Sequence, residues 1–199
     1  MKVISIEELL THGKFRQTVL ERNILLNLKH PFIVDFVEAF RTQKFLHLVL
    51  EFCPAGELFY HLSKRKKFSE EDARIIIAEV ILAVEHLHKH RITYRDLKPE
   101  NVLVDFRGHI KLTDFGLCKQ PKATPDGEDA QFHSLCGSPE YISPEMLNTG
   151  VHSRMVDFYQ VGALFYELLT GLPPNYSDDK QEMFNRIATK EVQAPDNLS

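Results

Sequence analysis

Apolar positions along this chain change period several times, and each change marks a predicted element. Met1-Lys2-Val3-Ile4 reads as the end of a strand. From about Lys14 to Lys29, Phe15, Val19, Ile24, Leu25 and Leu28 recur at helical spacing. His30-Pro31 ends that run, because proline disfavours helix in the residue before it. Phe32 to Phe40 and Phe45 to Phe52 read as two strands joined by a hairpin at Arg41-Thr42-Gln43-Lys44. Cys53-Pro54-Ala55-Gly56 then breaks the pattern and is the best internal boundary in the sequence.

Beyond that boundary the period is mostly helical. Glu57 to Lys64 is a short helix. Ser69-Glu70-Glu71-Asp72 supplies an N-cap and an acidic first turn for a long one, whose stripe is Ala73, Ile76, Ile77, Val80, Val84 and Leu87. Val102-Leu103-Val104 and His109-Ile110-Lys111-Leu112 are short strands flanking a turn at Asp105-Phe106-Arg107-Gly108. Lys119 to Pro139 has little periodicity, with a turn expected at Pro125-Asp126-Gly127, and a stretch of that length is usually functional or disordered. Ser153 is placed to cap a helix running to Thr170, with Gly171 just past its end. That helix is apolar almost all round and reads as a buried centre. A last helix covers about Asp178 to Lys190.

Composition narrows the class without choosing it. The 199 residues are 43% hydrophobic and 26% charged, which is ordinary for a globular protein. A net charge of −4 argues against nucleic acid as a partner, and Lys64-Arg65-Lys66-Lys67 reads as a solvated loop between helices. Cys53, Cys118 and Cys136 form no disulfide framework and no metal-ligand spacing, which points to a reducing compartment. The N-terminus lacks the apolar run of a signal peptide. The longest apolar stretch, Ile75 to Val84, contains Glu79 and is too short to insert across a membrane. The expected location is cytoplasmic or nuclear.

Chemistry concentrates in Tyr94-Arg95-Asp96-Leu97-Lys98-Pro99-Glu100-Asn101 and, a little further on, Asp114-Phe115-Gly116. The first puts a carboxylate, a lysine and an asparagine on one short loop, and the second adds a carboxylate before a glycine. In order and spacing the two resemble the catalytic loop and metal-binding turn of the eukaryotic protein kinases. The resemblance implies that Asp96 orients or accepts the proton of the attacking hydroxyl and that Lys98 offsets charge on the transferred phosphoryl. Asn101 and Asp114 would hold Mg²⁺ against the phosphates of ATP. Lysine at position 98 is the serine/threonine-kinase pattern.

The same resemblance reaches both ends. Lys2 is similar to the ATP-orienting lysine, and Glu21 to its helix partner. Leu50-Glu51-Phe52-Cys53 looks like the hinge, with Leu50 as gatekeeper, the backbone of Glu51 and Cys53 meeting adenine, and Glu57 reaching the ribose or a basic substrate side chain. Tyr94, the Gly-Leu-Cys-Lys after Phe115, and Cys136-Gly137-Ser138-Pro139-Glu140-Tyr141 resemble the AGC group. Within that group Glu57, Glu100 and Glu167 would read basic residues upstream of the phosphorylated residue in a protein substrate. Ser134 would be phosphorylated by an upstream activating kinase, with Arg95 and Lys119 receiving the phosphate. Ser138 would support Asp96 and Lys98, and Leu25, Phe36, Tyr94 and Phe115 would stack between the lobes, anchored by Asp157.

The implied fold class is α+β, a two-lobed protein kinase-like fold. Residues 1–52 would form a partial small lobe lacking its first two strands, and residues 53–199 a mainly helical large lobe lacking its last helices. No G-x-G-x-x-G precedes Lys2, so a chain truncated at both ends is the reading, with a non-catalytic kinase-like binding module as the alternative. Glu145 is expected to lack its usual arginine, and Tyr159, if buried, to need a hydroxyl partner. Cys118 and Cys136 are also weighed as a redox-sensitive pair.

Overall fold

The computed structural model describes residues 1–121, 131–195 and 198. Its N-terminal part is a three-stranded antiparallel sheet with a helix alongside. Strand β1 (Lys2–Ser5) leads into a short helix α1 (Ile6–Thr11), followed by helix α2 (Phe15–Asn27), then β2 (Phe36–Arg41) and β3 (Phe45–Leu50). The strand order is β1-β3-β2, with Lys2 opposite Leu48 and Ala39 opposite Leu48 from the other side. Helix α1 was not legible from the periodicity. Its signal is local, since the Ser5 hydroxyl accepts the Glu8 N–H at 3.3 Å, and only Leu9 is buried.

The expected strands at Phe32–Phe40 and Phe45–Phe52 are shorter than predicted. Phe32 to Val34 leave the small sheet and pair with the second half of the chain instead. The Val34 N–H donates to the Leu112 carbonyl at 2.9 Å, and the Leu112 N–H to the Phe32 carbonyl at 2.9 Å. This crossing ties the sheet to the helical part.

Helix α3 (Leu58–Arg65) and helix α4 (Glu70–Lys89) follow. The Lys64–Lys67 run is split, with Lys64 and Arg65 closing α3. As expected, Ser69 caps α4, accepting the Asp72 N–H at 3.1 Å. A single three-ten turn at Pro99–Asn101 precedes the hairpin β4 (Val102–Val104) and β5 (Ile110–Leu112), and β6 (Phe132–His133) comes after the described gap. The turn expected at Pro125-Asp126-Gly127 lies outside the described residues.

A second three-ten turn, Pro139–Tyr141, leads to α5 (Pro144–Asn148), β7 (Val151–His152), α6 (Met155–Thr170) and α7 (Lys180–Thr189). The weakly periodic segment is therefore not wholly irregular, because β6 pairs with β7, Phe132 opposite His152. Ser153 is not the cap of α6. Its hydroxyl accepts the Met155 N–H at 3.2 Å and Arg154 takes the cap position, so the helix begins one residue later. Gly171 closes α6 at φ 92°, and a Cβ there would run into the Lys66 carbonyl.

The core packs α4 against α6, with Val80, Ala83, Val84, Leu87, Leu164 and Leu168 buried, and extends to Leu25, Tyr94 and Phe115. Among the described residues, the polar atoms buried without a partner include the Tyr159 hydroxyl and the Asn175 amide nitrogen. Burial, with Glu145 nearby, pushes Tyr159 up to about 12. Among the described residues no helix is long and apolar enough to cross a membrane.

Candidate functional site

An open cleft of about 460 Å³ lies where the small sheet meets the helical part. It gathers Lys2, Glu21, Glu51, Cys53, Glu57, Glu100, Asn101 and Asp114, which stand far apart in sequence. Of the other expected site residues, Asp96 and Lys98 sit on the adjoining loop, Ser134 directly follows β6, and Glu167 lies on α6.

On one wall, Lys2 Nζ donates to Glu21 at 2.7 Å and to Asp114 at 2.9 Å. Burial would lower the pKa of Lys2, but the two carboxylates more than offset it and the net shift is upward. Burial pushes Glu21 up despite its lysine. Asp114 ends below its ordinary value because Lys2 and the Gly116 N–H outweigh its own burial. Asp114 adopts φ 54°, a left-handed conformation that turns its carboxylate toward Lys2. The Gln17 side chain, which sequence reasoning missed, donates from α2 to the Gly116 carbonyl.

The floor is the Tyr94–Asn101 loop. Asn101 Nδ2 donates to the Asp96 carbonyl at 2.7 Å and to Asp96 Oδ2 at 2.9 Å. Lys98 Nζ lies 3.7 Å from Asp96 Oδ2 and donates to the Ser138 hydroxyl at 2.8 Å, which itself donates to Asp96 Oδ1 at 3.4 Å. Asp96, Lys98 and Ser138 thus form one triangle, with Asp96 only 8% exposed. Behind it, Asp157 accepts the Tyr94 N–H at 2.9 Å and the Arg95 N–H at 2.8 Å, and bonds His88 at 2.7 Å. The rings of Tyr94 and Phe115 meet edge-on at 5.5 Å, and with Leu25 and the partly buried Phe36 they belong to one core.

Asn101, its Nδ2 held by Asp96, lines the cleft together with Asp114. Two oxygen donors suit a magnesium ion that keeps water and phosphate ligands. Among the described residues no trio of His, Cys, Asp or Glu gathers to enclose a metal alone. At the hinge the Cys53 N–H has no backbone partner among the described residues. The Glu51 carboxylate turns away from the cleft to Lys111, 2.8 Å distant.

Arg95 reaches Ser134, its guanidinium donating to the hydroxyl at 2.8 Å. Lys119 does not join it. The lysine is exposed, and its backbone pairs with Thr93 instead. Glu167 is buried, accepts the Tyr141 hydroxyl, and is raised to about 7 by burial, with Glu100 and Glu140 adding repulsion. Glu145 is half-buried and joins no ion pair among the described residues. Cys118 and Cys136 are both free. Burial drives the Cys118 thiol well up, away from the thiolate that exchange chemistry needs. Gln160, a buried amide behind Asp96, was also missed. The signal available for it was a polar residue three places after Asp157 in an apolar helix.

The protein kinase domain family model matches residues 1–198. The chain belongs to the protein kinase family. It is 45% identical to a RAC family serine/threonine-protein kinase homolog of Dictyostelium discoideum over 199 residues, all of this chain and 44% of that protein. It is 44% identical to serine/threonine-protein kinase Sgk1 of Danio rerio over 200 residues, 45% of that protein. It is also 45% identical to a cAMP-dependent protein kinase catalytic subunit of Dictyostelium discoideum over 175 residues, 88% of this chain and 26% of that one. These likenesses bear out the AGC resemblance and the kinase fold. The chain spans less than half the length of these curated relatives.

Proposed function

We propose that this protein is a serine/threonine protein kinase that transfers the γ-phosphoryl group of MgATP to a serine or threonine hydroxyl of a protein substrate. The observation that carries this reading is the convergence on one cleft of the Lys2–Glu21 pair and the Asp96–Lys98–Asn101–Asp114 floor. Lys2, held by Glu21, aligns the α- and β-phosphates. Asn101 and Asp114 hold Mg²⁺, which neutralises phosphate charge when bound. Asp96 takes the proton of the substrate hydroxyl as its oxygen bonds phosphorus. The bond from phosphorus to the β-phosphate oxygen breaks and ADP leaves, with Lys98 beside the transferred oxygens. A non-catalytic binding module is not favoured, because the charges needed for transfer are assembled in one cleft rather than dispersed.

The finer reading belongs to the same proposal. Residues 1–52 serve as the small lobe and 53–199 as the large one. The backbone of Glu51 and Cys53 meets adenine, and Glu57 meets the ribose or a basic substrate side chain. Glu57, Glu100 and Glu167 favour a protein substrate with upstream basic residues. Ser134 takes a phosphate from an upstream activating kinase and delivers it to Arg95, and a cytoplasmic or nuclear location goes with that signalling role. The test is transfer of labelled γ-phosphate to peptides carrying arginines upstream of serine, threonine or tyrosine. Serine and threonine should be labelled, and Asp96→Asn or Asp114→Ala should cost on the order of 10³-fold. No transfer to any peptide would sink the reading.

A further inference from the structure

Helix α6 contradicts its own sequence pattern in one respect. Its apolar surround is interrupted by Asp157, Gln160 and Glu167, all buried and spaced to share one face. Asp157 and Glu167 have partners described above. Gln160 is fully buried, and an apolar side chain of the same length would fill its space without the cost of burying an amide.

What it does there is specific. Gln160 Oε1 accepts the Leu97 N–H at 3.0 Å, and Nε2 donates to the Arg95 carbonyl at 3.1 Å and the Tyr141 carbonyl at 3.3 Å. The amide cannot be flipped, since an N–H only donates and carbonyls only accept. Its two loop partners are the residues immediately before and after Asp96. The third belongs to the segment carrying Ser138, which donates to Asp96 from the other side. Gly137 shows how closely that segment approaches: at φ 97°, a Cβ would lie 2.9 Å from the Arg95 carbonyl.

We propose that Gln160 is a positioning residue, a buried strap that fixes Asp96 by holding the backbone on both sides of it and couples the catalytic loop to the Ser138–Tyr141 segment. This rests on the reading of Asp96 as the group that takes the substrate proton. Asp157 holds the start of the loop through N–H groups alone, whereas Gln160 holds donor and acceptor across the base itself. A tilt of that peptide would move the Asp96 carboxylate relative to the attacking hydroxyl, and such misplacement lowers turnover rather than nucleotide affinity.

The variant is Gln160→Met in the whole chain, matched in length and lacking all three bonds. Amide exchange over Tyr94–Asn101 should quicken roughly tenfold or more while α4 and α6 stay protected. The value of kcat should fall by about 10 to 100-fold with KM for ATP within about twofold. Unchanged loop exchange would overturn the strap whatever the activity, as would quickened exchange with undiminished kcat. If the unsubstituted chain transfers no phosphate yet exchange still quickens on substitution, the kinase reading fails and the strap stands. Should Gln160→Met not fold, Gln160→Glu is judged by the same two criteria, since it keeps the shape and the Leu97 acceptor while facing two carbonyls.

Discussion

The floor and the wall of the cleft are held by different physics. Asp96 is tied by short hydrogen bonds from buried partners, Asn101 in front and Asp157 and Gln160 through its neighbours behind, the last two fully buried. Lys2 and Asp114 are joined through an ion pair whose side chains are 34% and 47% exposed, with only Glu21 buried. Water and salt compete for the second arrangement and hardly reach the first. The floor is thus built by folding, while the wall is assembled from α2 and β1 by charges that can separate. Such a division lets the chain keep Asp96 in place while Lys2 engages or lets go.

The comparison breaks first at Asp157. Asp157→Asn keeps the shape but presents an amide N–H₂ to a buried region that offers N–H donors from Tyr94 and Arg95. Stability should drop by about 2–4 kcal/mol, because charge-assisted bonds are lost and donors are left buried. Phosphotransfer should fall with it by about 100-fold. Urea unfolding with a kinetic assay checks both. A variant as stable as the parent would show that Asp157 does not hold the floor.

Glu21→Gln sharpens the other side. The amide still reaches Lys2, and Asp114 keeps its pair, so stability should move by no more than about 1 kcal/mol. Nucleotide use should suffer more, with kcat/KM for ATP down roughly tenfold. The parent chain should also lose ATP affinity as ionic strength rises, and the Asp157 ties should not respond to salt. Equal salt sensitivity in urea unfolding and in ATP binding would erase the distinction drawn here.

Much of this was readable in the sequence, and what was not has a common cause. The caps and stripe of α4 and the Gly171 stop of α6 are local signals, and they gave those helices to within a residue or two. The loop and the metal-binding turn were legible because their residues are adjacent. Apart from the short helix α1, the missed features are made by partners far apart in the chain. Strand β6 exists only because Phe132 meets His152, and Phe32–Val34 leave their expected strand because Leu112 captures them. Gln160 went unnoticed in an apolar helix, and its role shows only in its bonds to Arg95, Leu97 and Tyr141. Lys119 was tied to Ser134 by the resemblance alone, and it stands exposed with its backbone paired to Thr93.

The last expected effect depends on pH and lies at Glu167 on α6. Glu167 is raised from 4.5 to about 7 by burial and by Glu100 and Glu140, so its charge changes near neutrality. A carboxyl raised on folding binds its proton more tightly in the folded state. Its stabilising contribution is therefore complete below 4.5 and is lost as pH climbs through about 7. Glu167→Gln, always neutral, should match the parent at pH 5 and become the more stable of the two by pH 8, by up to about 3 kcal/mol at ~1.4 kcal/mol per unit. Substrate use should run the opposite way. Only the ionised carboxylate attracts a guanidinium, so KM for an arginine-bearing peptide should fall several-fold between pH 6 and 8 in the parent and stay flat in Glu167→Gln. Parallel urea midpoints across that range would remove Glu167 as the titrating group. A pH-dependent KM that survives the substitution would assign peptide recognition to Glu57 and Glu100 instead.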